Sequence, residues 1–406
     1  MKKLRIIALL AVFTAAVAFA QDGPNLKLSG EAKTGIFYQQ SQQDGKEVVI
    51  DDLELKSMDD AGGGQGRFRL NMDYSNGNNL GFRSRLQWEN WNNDNATRWS
   101  YAFGYGDFFN DTLAQMTVSV GKLGGSPWGT GGPEMWKELE DNNSGGGMRV
   151  EWKPAIPAEY GRINAGFVLN YFNMDRDQGQ TIKVTLAEIL KESVIGVSYT
   201  HDWFLARVAY RFDSEVDANQ ANKVDNAGKG EDEMVYRVEE YALKKFTPGL
   251  RVWALGHLFG LSAVNKEIQV FKNWFFIEYD PPDLFGMTTP FTAQLSVGNE
   301  SALSPTGGIL GEFFLKPSFY WHFFNKLISV GSVYKISFDY GDGGIQGDNP
   351  YYYMEIEPKI QLNFQSSYIA FAYQFRQQYV HDYLAEPGRE PIAQRQWMNL
   401  RFCIYY

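Results

Sequence analysis

The sequence has almost no cysteine, few histidines and, past its first twenty residues, no long apolar run. Cys403 is the single cysteine in 406 residues, so an intrachain disulfide is excluded. His201, His257, His322 and His381 are scattered without metal-ligand spacing, so no metal or cofactor is expected. No GxSxG and no local Ser–His–acid signature occurs, and no enzymatic activity is expected. The run GDGGIQGDNP at 341–350 lacks the spacing and closing Glu of a calcium loop. Basic charge is scarce too: 38 Lys and Arg stand against 48 Asp and Glu, a formal charge of −10. Such a chain gains nothing from a phosphate backbone, which excludes nucleic acid as a partner. No linker, low-complexity tract or second domain interrupts it.

The N-terminus carries the one apolar stretch. Lys2, Lys3 and Arg5 precede an apolar run from Ile6 to Phe19 with small residues at Ala18 and Ala20. This is the pattern of a secretory signal peptide, residues 1–20, cut after Ala20. The run is short for a membrane-spanning helix, and no second apolar stretch follows. Residues 21–406 then form one exported domain. Its removal takes three cations and no acid, which leaves the remainder more acidic still.

What is abundant is aromatic side chains (16%), glycine (41 residues) and strict alternation. In RFRLNMDY, Phe68, Leu70, Met72 and Tyr74 oppose Arg67, Arg69, Asn71 and Asp73. In LGFRSRLQWE, Leu80, Phe82, Leu86 and Trp88 oppose Arg83, Arg85, Gln87 and Glu89. YYMEIEPKIQLNF, 352–364, alternates throughout, and so does QWMNLRFCIYY at the C-terminus. A period of two is the mark of a strand with one apolar face. Many of these strands run to about ten residues or more, the length a tilted strand needs to cross a bilayer. Trp88, Trp91, Tyr340 and Tyr352 stand near their ends, where aromatic girdles sit.

The pattern predicts strands at 26–40, 65–75, 79–91, 96–106, 113–121, 145–153, 161–173, 191–201 and 203–213. It continues with 233–244, 249–259, 266–280, 288–299, 308–322, 326–340, 350–364, 367–379 and 395–406. Connections alternate between long and short, with SNGN (75–78), TPG (247–249) and NK (325–326) as tight turns. The expected fold is all-β: a transmembrane antiparallel up-and-down barrel of 18 strands, with short periplasmic turns and long external loops. Two stretches weaken the count, 191–213 with its minimal turn and 233–244 with Glu239 and Glu240; losing one hairpin gives sixteen. TLAEILKE (185–192) reads as a short helical turn on a loop, and 48–56 as a strand extension.

The signal peptide, the first strand LSGEAKTGIFY (28–38), the pair RFRLNMDYSNGNNLGFRSRLQWEN and the aromatic-ended last strand resemble the Gram-negative outer-membrane porins over the whole mature chain. The resemblance implies a passive diffusion channel for small hydrophilic solutes in the cell outer membrane, in contact with outer-membrane lipids and assembled as a homotrimer. It implies that the barrel-assembly machinery reads Met398, Leu400, Phe402, Ile404 and Tyr406; most such proteins end in Phe rather than Tyr. In general porins the loop after the fifth strand folds into the lumen and faces a basic wall. The matching loop here is 122–144, with Glu134, Glu138, Glu140 and Asp141, and the wall is Arg67, Arg69, Arg83 and Arg85, joined by Arg207 and Arg211. Opposed charges across a narrow lumen filter ions and orient dipolar solutes. The same arginines are positioned to pair with Asp73, Glu89 or Glu151 and stiffen the wall. Net negative charge points to a mild cation preference. Two alternatives stay open: a sugar-selective porin, with Trp253, Phe314 and Tyr353 facing inward, and a plugged, adhesin-like surface barrel.

Overall fold

A computed structural model describes residues 25–43, 46–48, 54–55, 67–77, 79–91, 94–124, 127–130, 147–170, 193–214, 231–240, 247–259, 269–284, 287–303, 309–340, 351–380 and 393–405. The signal segment, Tyr406, the stretch 185–192 and most of the loop after the fifth barrel strand lie outside that set.

Eighteen strands build the wall. They are β1 (Asn25–Gln43), β2 (Arg67–Ser75), β3 (Leu80–Trp91), β4 (Asp94–Phe108), β5 (Met116–Lys122) and β6 (Gly147–Trp152). Next come β7 (Arg162–Asn170), β8 (Val194–His201), β9 (Phe204–Ser214), β10 (Glu231–Glu240), β11 (Leu250–Phe259) and β12 (Gln269–Tyr279). The last six are β13 (Phe291–Leu303), β14 (Ile309–Phe323), β15 (Ile328–Tyr340), β16 (Tyr351–Phe364), β17 (Ser367–Val380) and β18 (Ala393–Tyr405). Each pairs antiparallel with its successor, and β18 pairs with β1 from Glu31↔Tyr405 to Gln43↔Ala393, so the sheet closes on itself. Closure removes the edge strands that would otherwise template aggregation. All eighteen strands expected from alternation are present, and the sixteen-strand alternative falls.

The upper half of β1 takes further pairs, Lys46–Val48 against its end and Glu54–Leu55 against Ile36 and Phe37, so part of 48–56 does add strand. A small hairpin, Asp283–Leu284 with Met287–Thr288, fills the β12–β13 turn. The tight turns sit at one end of the barrel. Gly77 (φ 78°) and Gly249 (φ 90°) supply left-handed backbone before β3 and β11. Between β14 and β15, Phe324, Asn325 and Lys326 all take positive φ, and Asn363 holds that turn by donating to the Lys326 carbonyl at 2.6 Å.

The two faces of the sheet differ as the alternation requires. Ile195, Val197, Phe275, Phe313, Ile360, Phe371, Met398 and Ile404 are exposed on the outer face. The inner face is identified by contacts that only a concave surface allows. Phe103 of β4, Val168 of β7, Val194 of β8, Ala209 of β9 and Val235 of β10 share one cluster with Leu123 and Trp128 from the loop after β5. Glu239 is explained by the same geometry: it points inward, fully buried, against two arginines, so it does not spoil the strand.

Candidate functional site: the charged inner wall

The loop after β5 enters the barrel. Trp128 is fully buried, and its Nε1 donates to the Asn164 carbonyl of β7 at 3.0 Å. Its ring lies on Gly196 of β8, where a Cβ would stand 2.2 Å from the indole. Only glycine leaves room for that approach. Thr130, also fully buried, accepts from Arg237 Nη1 of β10 through its carbonyl at 3.0 Å. Gly124 stands against Tyr101 of β4. The loop therefore leaves β5 and is fastened to strands up to five places away round the wall. Glu134, Glu138, Glu140 and Asp141 lie outside the described residues.

The four expected arginines do share one face of β2 and β3. Glu31 of β1 receives Arg67 at 2.8 Å, Arg69 at 3.0 Å and Lys33 at 3.5 Å. Arg69 also donates to Gln87 at 2.6 Å. Arg85 donates to Asn71 at 2.7 Å and stacks over Tyr101, 5.0 Å from its centroid. Arg83 meets Asp73 at 3.0 Å and stacks over Tyr105 at 5.0 Å. That last pair is half-exposed and adds little, while its planar stacking limits where the guanidinium can go.

The same composition repeats farther round the wall, where Glu151, expected to pair with the arginines of β2 and β3, takes other partners. Glu151 on β6 sits between Arg149 (3.2 Å) and Lys153 (2.9 Å) and accepts from Asn164 at 2.8 Å. Glu239 on β10 sits between Arg237 (2.5 Å) and Arg251 of β11 (3.2 Å); Arg251 also reaches Glu278 of β12 at 3.2 Å. Glu233 meets Arg211 at 3.4 Å and His257 at 2.8 Å. Glu31 and Glu151 are each flanked by two or more cations, so these stretches of wall are locally basic although the chain is acidic; at Glu239 the two arginines are balanced by Glu239 and Glu278. Burying a carboxylate demands such partners. A sequence-level signal for the inner set exists only as alternation: Glu233, Arg237 and Glu239 fall on one parity of β10.

An aromatic patch shares the inner face. Trp253 and Phe276 stack with centroids 4.1 Å apart, and Trp274 lies 5.9 Å from Phe314. Gly298 clears their space, since a Cβ there would come within 2.1 Å of both Phe314 and Trp274. Arg251 covers Trp253 at 4.6 Å and Lys335 covers Phe314 at 4.7 Å. Trp253 and Phe314 thus face inward as expected.

Met398, Leu400, Phe402 and Ile404 lie together on the outer face of β18, opposite in parity to the buried Asn399 and Cys403. Among the described residues no group of three or more His, Cys, Asp or Glu is placed to hold a metal ion, and no helix is long and apolar enough to cross a membrane.

The wall, the closure and the inward loop define a large antiparallel barrel with a charged interior. No family model and no curated protein sequence matches the chain. Solved structures that resemble it are barrels. OmpT, an outer membrane protein of Vibrio cholerae in a form lacking loop L8, aligns over 94% of this chain and 100% of its own at 12% identity and a TM-score of 0.48. An anion-selective porin from Comamonas acidovorans aligns over 94% and 100% at 10% identity and a TM-score of 0.48. A mutant Rhodopseudomonas blastica porin aligns over 93% and 100% at 13% identity and a TM-score of 0.42.

Proposed function

We propose that the chain is an outer-membrane porin, a passive diffusion channel for small hydrophilic solutes. One observation carries the reading: eighteen strands close into a barrel with a charged inner face and an apolar outer face. An outward apolar band is what lipid requires, and a barrel of this strand number is wide enough for water inside. Residues 1–20 serve as the cleaved export signal. Met398, Leu400, Phe402, Ile404 and Tyr406 are the strip read by the barrel-assembly machinery, and three copies associate in the membrane.

The loop fastened by Trp128 and Thr130 brings Glu134, Glu138, Glu140 and Asp141 into the lumen opposite Arg67, Arg69, Arg83 and Arg85. Glu134 follows Thr130 by four residues, at most about 14 Å of chain. Ion preference follows local charge. The cation-rich surroundings of Glu31 and Glu151 favour anions along the wall, opposing the preference that total charge suggests.

The direct test is a planar bilayer. Purified protein should produce discrete ohmic steps; silence over many reconstitutions with correctly folded protein rejects the channel and favours the adhesin-like barrel. Replacing the four loop acids by Lys should move the reversal potential in a salt gradient toward stronger anion preference; an unmoved potential removes them from the lumen. A second reading, sugar selectivity, has the Trp253–Phe276 and Trp274–Phe314 platform in its favour, because pyranose rings stack on such faces. Liposome swelling should then be faster with a disaccharide than the solute's size allows.

A further inference from the structure

Tyr334 places a hydroxyl where a bilayer offers it nothing. It is the seventh of the 13 residues of β15, so it lies about 20 Å along the strand from either end. Its side chain points outward, opposite in parity to Lys335 and Ser337, which meet Phe314 and Glu312 on the inner face, and it is 47% exposed. Strand tilt brings that position to roughly 15 Å from each interface, near the middle of the hydrocarbon. Among the described residues none is hydrogen-bonded to its Oη. Three other outward tyrosines differ: Tyr210 donates to Asp232 at 2.6 Å, Tyr236 to Asn273 at 2.6 Å and Tyr373 to Gln396 at 3.0 Å. A tyrosine in a membrane keeps its hydroxyl at the wet boundary or finds it a partner, because hydrocarbon supplies none.

The backbone beside Tyr334 is interrupted as well. The ladder between β14 and β15 runs to Leu315↔Ile336 and resumes at Ser318↔Val333. It skips Pro317, which falls opposite Tyr334 in that register and has no N–H to give. Between β16 and β17 the ladder breaks again, from Ile356↔Phe375 to Lys359↔Ala372, at Pro358. Proline inside a sheet belongs at an edge or a bulge, and this closed sheet has no edge. Pro317 and Pro358 both face outward, one on each side of β15. Their short rings leave low relief beside Tyr334, and low relief is what lets a second backbone approach in a membrane. Phe319, Val330 and Ile360 stand exposed round them.

We propose that a second copy of this chain packs on this face. The outer surface of β14, β15 and β16 lies on the threefold axis of the assembly, and three Tyr334 hydroxyls close a ring in which each donates to the next. A hydroxyl both donates and accepts, so the same group repeated by symmetry provides the partner that acyl chains lack. Lipid headgroup oxygens stay at the interfaces, roughly 15 Å away. The inference rests on the reading that three copies associate and adds where they meet.

The test uses full-length protein in liposomes, carrying Val330→Cys in a Cys403→Ser background and spin-labelled there. Val330 shares the outer face of β15 and leaves Tyr334 in place. Double electron–electron resonance should read a distance between copies within about 25 Å. Val197→Cys on β8, nearly the opposite side of a barrel about 36 Å across, should read beyond about 60 Å. Val330 labels as far apart as Val197 labels overturn the proposal. Tyr334→Phe removes only the hydroxyl, which no described residue bonds, so the barrel should fold as before. Three membrane hydrogen bonds lost per trimer should raise its dissociation constant in detergent, read by sedimentation, roughly twentyfold; an unchanged constant refutes the ring. Sedimentation also separates the two readings. Monomers at every concentration remove the threefold assembly and this contact with it, whereas trimers with distant Val330 labels remove the contact alone.

Discussion

Trp128 is the residue whose removal reports most directly on the inward loop. Truncating a fully buried Trp to Ala costs about 3–5 kcal/mol where the surroundings do not collapse, and here the ring rests on the rigid backbone of β8 at Gly196. That energy is local: it holds a loop against the wall and leaves the strand ladders untouched. At 1.4 kcal/mol per decade, the detached population should rise by roughly 10² to 10³. Thr130, fully buried in the intact protein, reports detachment. With Thr130→Cys as the only thiol, in a Cys403→Ser background, maleimide labelling in detergent micelles should be very slow and should accelerate by that factor on adding Trp128→Ala. Trp128→Phe keeps most of the buried ring and loses the Nε1 bond to the Asn164 carbonyl, about 0.5–1.5 kcal/mol, so its acceleration should be roughly two- to tenfold. Gly196→Val attacks the same contact from the wall and should match Trp128→Ala. If Thr130→Cys labels as fast in the parent as in Trp128→Ala, the loop is not fastened there and the argument from Trp128 fails.

Three further outcomes follow from the wall. Glu239→Ala leaves the guanidinium of Arg237, 13% exposed, facing that of Arg251, 38% exposed, with no carboxylate between them; breaking a fully buried pair costs about 3–5 kcal/mol, water at Arg251 screens part of that here, and the temperature at which the folded band disappears on an unheated SDS gel should fall below that of the parent. Phe371→Arg, on the outer face of β17, should cost about 2–4 kcal/mol in lipid if it lies near the bilayer midplane, whereas Gln361→Arg on the inner face of β16 should cost little; equal urea midpoints for the two in liposomes contradict the assignment of faces. Gly298→Val drives a side chain into Trp274 and Phe314 and should blue-shift or quench tryptophan emission while leaving the strand signal in circular dichroism unchanged.

Much of this architecture was legible in the chain because the period of a strand is two and a barrel makes that period a choice between water and lipid. β16 shows it best: Met354, Ile356, Ile360 and Leu362 against Glu355, Glu357, Lys359 and Gln361, with no interruption but Pro358. The four arginines of β2 and β3 were found for the same reason. Glu239 was misjudged as a flaw because a buried carboxylate looks wrong until its partners are known, and Arg251 lies on the next strand.

Alternation, turn chemistry and spacing along the polypeptide determined the number of strands, which side chains share a face and where the hairpins turn. These are local properties, set by backbone geometry over a few residues. Closure, the seating of Trp128 on Gly196, the bond from Arg237 to Thr130 across 107 residues, and the lack of a partner for Tyr334 among the described residues were decided only in three dimensions. They depend on which strands curve round to face one another, and distance along a chain carries no record of that.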